Sequence, residues 1–325
     1  MLQTKKYLSF DALPHMDNFI LHLQTDNYSP ETIYNYEREL KVFDTFLFES
    51  SVPFQQVTKL VISHYKAYLT SVDRKTSAEQ ISDERLASRS INRNLSALRS
   101  YLKYLIQMDI PTPLAPEAIT MVKTERRHPQ VAELRELIQL IESPTTLEKN
   151  PAVGRRNRAM LEMLFSTGMR ISELINLNRN QLDHSGRIFI RGKGKKERFV
   201  YLTDRAWSYI QEYLKTRTDT YPALFIPYRG ANTAAGSSTR RRISTNYLQE
   251  RIKFYREQLK INVPTSAHSL RHGFATYLAE SGANPAAIQI LLGHESLDTT
   301  TRYVHASDRY AEETHRKFHP LPKPE

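Results

Sequence analysis

Apolar residues recur at helical spacing along most of this chain. From Ser29-Pro30, an N-cap followed by a proline suited to the first helical position, Ile33, Tyr36, Leu40, Phe43 and Leu47 predict a helix with one buried stripe. A second helix is predicted from Thr58 through Leu60, Ile62, Tyr65 and Leu69, and a third from about Ser88 to Gln107 with Ile91, Leu95, Leu98, Leu102 and Leu105 inside. Between these two, Asp73 to Ala87 (DRKTSAEQISDERLA) keeps no apolar period and is expected to be an exposed connection. The stretch from Ile110 to Gln130 clusters prolines ahead of a basic run and reads as an interdomain linker. Residues 1–110, 111–130 and 131–325 are therefore expected to be a helical domain, a linker and a second domain.

In the second domain, Leu134, Leu137, Ile138 and Ile141 predict a helix over about 131–141. From about Asn157 another helix carries Met160, Leu161, Leu164 and Phe165 to Gly168, a residue suited to the left-handed turn that ends helices. A new helix follows at once and takes in Arg170, Glu173, Leu174 and Leu177. The pattern then changes to period two. Arg187 to Arg191 (RIFIR) and Arg198 to Leu202 (RFVYL) alternate like strands about the turn Gly192-Lys193-Gly194-Lys195. Beyond the loop Arg229 to Ser238 the chain is helical again, with one helix from near Ser266 to just before Gly282 and another from Asn284-Pro285 to Gly293. The fold class is mainly α, with one small antiparallel β-hairpin in the second domain.

Composition changes the picture in two respects. Among 325 residues, 46 Lys and Arg stand against 35 Asp and Glu, a formal net charge of +11, which favours a polyanionic partner: nucleic acid or an acidic membrane surface. No apolar stretch is long enough to span a bilayer and the N-terminus lacks a secretory apolar region, so a cytoplasmic protein is expected. There is no cysteine, which excludes disulfides, thiolate zinc sites and cysteine nucleophiles.

Six polar side chains of the second domain form a set able to cut a phosphodiester with a tyrosine. Arg170 and Arg271 can hold nonbridging phosphate oxygens in forked contacts. His268, His294 and Lys193 can donate or shuttle protons, and Tyr303 can attack. Each also has a plain reading: Arg170 with Glu173 is the spacing of a solvated helix pair, Lys193 keeps a hairpin tip soluble, and most tyrosines are packing residues. His268 and His272 share the four-residue spacing of a zinc pair, but Ser269 follows His268 and no carboxylate cluster completes a site, so no metal is expected. A nucleotide loop is also disfavoured, because no Ser or Thr follows Lys193. Arg89, Arg93 and Lys103 share one side of the third helix, and Arg240, Arg241 and Arg242 lie in the basic run Thr239 to Arg256. Both groups are candidate phosphate contacts or ordinary solvated surface.

Taken in order, TGMRISEL, the GKG turn, HSLRHGFAT, LLGHES and TTTRYVH resemble the tyrosine recombinase (phage integrase) family, and within it the Xer-type recombinases. The resemblance extends over nearly the whole chain, from SPETIYNYERELKVFDTFL to HRKFHP. It implies an N-terminal SAM-like core-binding domain and a mixed, mostly α catalytic domain. It places Arg170, Lys193, His268, Arg271, His294 and Tyr303 at the catalytic positions, with Tyr303 as nucleophile; on the functional reading of Arg170, Glu173 three positions on would hold its guanidinium. It further implies double-stranded DNA with a specific recombination site, no metal or other cofactor, and a homotetramer or a heterotetramer with a second recombinase. The segment Asp308 to Lys317 would dock on a neighbouring protomer. Xer-like resolution of chromosome dimers is the expected role; a mobile-element integrase with the same chemistry and a catalytically silent DNA-binding protein are the alternatives.

Overall fold

The computed structural model describes residues 12–72, 74–75, 85–124, 131–182, 185–191, 197–228 and 241–293. The chain divides into two compact units between Arg127 and His128. The first unit is all helical: α1 (Met16–Thr25), α2 (Pro30–Glu49), α3 (Lys59–Thr70) and α4 (Ser88–Gln107). The Ser29 hydroxyl accepts the Thr32 amide at 3.1 Å and the Thr58 hydroxyl accepts the Val61 amide at 3.4 Å, so α2 and α3 start where the sequence placed them. Met16, Phe19, Ile20 and Leu23 of α1, a helix not assigned from sequence, join Leu40, Phe43, Leu47, Tyr65, Leu69, Leu95, Leu98 and Leu102 in one core. Leu60 is the exception to the expected stripe, at 64% exposure. It precedes Ile62 by two positions, about 200° around the helix, and so faces away.

One expectation about connections is corrected. Residues 111–124 are not a free linker but part of the first unit. Ile119 is fully buried, and Asn92 of α4 clasps Val122 through both its amide (2.7 Å) and its carbonyl (2.8 Å). Of the polar segment Asp73 to Ala87, residues 73 and 76–84 lie outside the described residues; Arg74 is buried and the Lys75 amide donates to the Tyr68 hydroxyl at 2.9 Å, while Arg85 and Ala87 are exposed.

The second unit contains α5 (Leu134–Glu142), α6 (Pro144–Leu147), α7 (Pro151–Thr167), α8 (Ile171–Asn176), β1 (Arg187–Arg191), β2 (Glu197–Tyr201), α9 (Asp204–Leu214), α10 (Thr245–Gln258), α11 (Ala267–Glu280) and α12 (Pro285–Leu292). α7 is the central element, buried along most of its length, with α5, α9 and α11 packed against it. It begins earlier than expected, because Asn150 accepts the Ala152 amide at 2.9 Å and Pro151 occupies the first turn. β1 and β2 pair antiparallel, Ile188 with Val200 and Ile190 with Arg198; Ile188, Ile190 and Val200 turn into the core. Phe189 and Phe199 pair on the outer side. Among the described residues no helix is long and apolar enough to cross a membrane.

Candidate active site

Three helix ends build the site. α7 stops at Gly168, whose φ of +62° is a conformation that glycine adopts without strain. An added Cβ there would also lie 2.4 Å from the Phe274 ring, so backbone shape and packing both require glycine. This turn puts Arg170 at the head of α8. The sequence places Arg170 within that helix; it is instead the N-cap residue, with φ −74° and ψ 150°. From there its amide donates to Glu173 Oε2 at 2.7 Å and its Nη1 to Glu173 Oε1 at 3.0 Å, leaving the side chain about a third exposed (34%).

Arg271 arrives from α11 and is almost fully buried, at 3% exposure. Its Nη1 donates to the Gly168 carbonyl at 2.7 Å and its Nη2 to the Leu292 carbonyl at 2.6 Å. These are carbonyls at the ends of α7 and α12, where the helix no longer supplies donors and a cation is favoured. One guanidinium thus ties together two segments that are far apart in sequence.

His268 lies one turn before Arg271 on the same helix, at the surface with its ring partly shielded. That shielding, then the charges of Arg271 and Arg170, push its imidazole below the usual value. It is therefore neutral at pH 7 and able to accept a proton. Its Nε2 lies 2.8 Å from Nε2 of His272, so one ring must donate and the other accept. No group of three or more His, Asp or Glu side chains that could hold a metal gathers among the described residues.

Arg198 was missed from sequence. It donates Nη1 to Glu173 Oε1 at 3.0 Å, Nη2 to Glu173 Oε2 at 2.8 Å and Nε to the Leu291 carbonyl at 2.9 Å. Glu173 is thereby bonded four times, twice at each oxygen. Burial alone would raise its carboxyl, but the Arg198 bonds, the Arg170 amide and both positive charges outweigh this and hold it below the usual carboxylate range. One signal was available: Arg198 shares the inward parity of Val200, a charged residue at an apolar position of an alternating strand.

The remaining candidates divide. Lys193, Arg240, His294 and Tyr303 lie outside the described residues. Arg89, Arg93 and Lys103 are exposed on one side of α4, with Arg93 Nε 2.7 Å from Glu39 Oε1. Arg241 stacks over the Tyr221 ring at 4.3 Å. Arg242, expected as a DNA contact, donates to the carbonyls of Ile175 (3.1 Å) and Leu177 (2.8 Å) and to Asn178 Oδ1 (2.5 Å). Those bonds make it a brace for the turn after α8, a role visible only in the fold.

Comparison with known proteins gives the family. Residues 130–309 match the phage integrase family and residues 16–108 match the phage integrase N-terminal SAM-like domain. This chain belongs to the phage integrase family. It is a tyrosine recombinase of the Xer-like kind, from a family whose members cut and rejoin DNA through a phosphotyrosine intermediate. It is 35% identical over 318 residues to the tyrosine recombinase XerC of Pelobacter propionicus, covering 94% of this chain and 96% of that one. It is 30% identical to the tyrosine recombinase XerD of Staphylococcus haemolyticus, covering 90% and 93%. In fold it is similar to the XerH site-specific recombinase solved on its palindromic difH substrate after cleavage, with a TM-score of 0.68 at 19% identity over 95% of this chain and 91% of that one.

Proposed function

We propose that this chain, acting in the cytoplasm, recombines two copies of a specific duplex site and so resolves chromosome dimers. The observation that carries the chemistry is the gathering of Arg170, His268 and Arg271 around the Gly168 turn. Arg170 and Arg271 would neutralise the scissile phosphate and stabilise its pentacoordinate state, each aimed donor lowering the barrier by about 3–4 kcal/mol. His268, held neutral, would take the phenolic proton of Tyr303 as its oxygen bonds to phosphorus. The bond from phosphorus to the 5′-oxygen breaks, with Lys193 protonating that oxygen and His294 bonding a nonbridging one. The phosphotyrosine ester conserves the bond energy, so attack by the 5′-hydroxyl of a second duplex rejoins the strand without ATP.

For DNA grip we propose the exposed face of α4 with Arg89 and Lys103. Arg242 is left out because its bonds to Ile175, Leu177 and Asn178 make it a brace for the turn after α8. The working assembly would be four protomers, all of this chain or shared with a second recombinase. The segment 308–317 would dock on a neighbouring protomer. We further propose residues 1–124 as the core-binding part and 131–325 as the catalytic part.

The test is covalent trapping. Duplexes with a randomised centre and a nick are incubated with the full chain in EDTA, and adducts are recovered and sequenced. The expected result is an adduct enriched in one site and lost in Tyr303→Phe. An adduct that survives that substitution, or one that forms only with Mg²⁺, would defeat the proposal.

A further inference from the structure

We propose that Arg198 is a positioning residue for cleavage: through Glu173 it fixes the aim of the Arg170 guanidinium, and through Leu291 it couples that aim to the end of α12. This rests on the reading of Arg170 as a phosphate-binding group.

Arg170 is partly exposed and its long side chain has many rotamers open to it. Its intra-site anchor is Glu173, and a carboxylate by itself turns easily about its last torsion. Arg198 removes that freedom. Its planar fork meets both carboxylate oxygens at 3.0 and 2.8 Å, leaving the opposite lone pairs for the Arg170 side chain and amide. The Arg198 side chain is only 8% exposed, so water does not compete for it.

The third bond gives Arg198 a reach that a simple ion pair lacks. Its Nε caps the Leu291 carbonyl in the last turn of α12. Gly293 then turns with φ +63°, and an added Cβ would lie 3.0 Å from both Cδ and Nη1 of Arg198. The helix end that leads in sequence to His294 therefore packs directly on this guanidinium. Arg271 meets the adjacent Leu292 carbonyl, so two arginines from different elements hold the same helix end. Lysine could occupy either contact of Arg198 but not all three, having one point of charge instead of a fork.

The duplex recovered by trapping is used with purified full chain and with Arg198→Gln, Arg198→Lys, Glu173→Gln and the Arg198→Gln/Glu173→Gln double variant. Arg198→Gln is expected to slow single-turnover formation of the Tyr303 adduct about tenfold to a hundredfold, with affinity for the duplex hardly changed. Arg198→Lys is expected to fall between it and the unaltered chain. The double variant should be no slower than the slower single variant, because both break one linkage. A duplex with an uncharged methylphosphonate at the scissile position should shrink the Arg198→Gln deficit, which a general loss of rigidity would not do.

Arg198→Gln at full rate, deficits that multiply in the double variant, or affinity falling in step with cleavage would each overturn the proposal. Should Arg198→Gln not fold, Arg198→Lys decides: cleavage at the unaltered rate overturns the assignment, and slowed cleavage with normal binding supports it. An unaltered chain that forms no Tyr303 adduct defeats the underlying functional reading, and this proposal with it.

Discussion

Arg89, Arg93 and Lys103 lie exposed along one side of α4, whereas Arg156, Arg158 and Arg271 in the second unit are 2%, 3% and 3% exposed. Each buried guanidinium is matched to acceptors: Arg156 to the Ile226 carbonyl at 2.9 Å, Arg158 to Glu162 at 2.9 Å, and Arg271 to the Gly168 and Leu292 carbonyls. An exposed cation contributes little to stability and is screened by salt. A buried one must have its partners, because stripping water from it is expensive. The exposed face of α4 thus carries charge that can attract any polyanion. The buried arginines of the second unit use charge to fix geometry, which catalysis needs and mere adhesion does not.

The sharpest way to break this contrast is to remove a buried arginine from the site. Arg271→Ala is expected to slow adduct formation about a hundredfold to a thousandfold while leaving most DNA affinity, read by single-turnover trapping beside a binding titration. If Arg271→Lys cleaved at the unaltered rate, fixed geometry would not be the reason for burying it.

Next in size is Gly168→Ala. It forces a Cβ into a left-handed turn and onto the Phe274 ring, and should destabilise the folded protein by about 2 kcal/mol or more, seen as a lower thermal midpoint. An alanine variant melting with the unaltered chain would show that the turn has other ways to close.

A smaller effect concerns pH. Shielding and the charges of Arg271 and Arg170 depress His268 below its ordinary value of 6.5, so the unfolded chain binds that proton first. The stability linked to His268 is therefore complete above about pH 6.5 and is lost as pH falls through that value towards the folded-state one. As the proposed base, it should place the acid limb of the cleavage profile below pH 6.5, and Arg170→Gln should move that limb upward. A limb unmoved in that variant would separate His268 from the arginine.

The smallest expected change is at the exposed face. Arg89→Ala and Lys103→Ala should each lower the slope of log affinity against log salt by roughly 0.9, with cleavage at saturating DNA intact. Arg93→Ala should do less, because Arg93 is already paired with Glu39, a carboxylate that Arg38 shares.

What could be read along the chain was local. The caps Ser29, Thr58, Ser266 and Asn284, the glycine stops at 168 and 293 and the alternating hairpin all depend on residues within a few positions of each other. The ordered motifs likewise pointed to Arg170, His268 and Arg271, residues 170 and 268 being far apart in sequence. Tertiary structure decided the rest, because it turned on partners that no spacing rule connects. Arg198 meets Glu173 across 25 positions and Leu291 across 93, Arg242 reaches back 65 positions to the Leu177 carbonyl, and residues 111–124 settle on α4 despite their prolines. A helix or turn forms from short-range sterics and hydrogen bonds, so its signature is written nearby. Which acceptor a buried guanidinium finds depends on where whole elements come to rest, and only packing determines that.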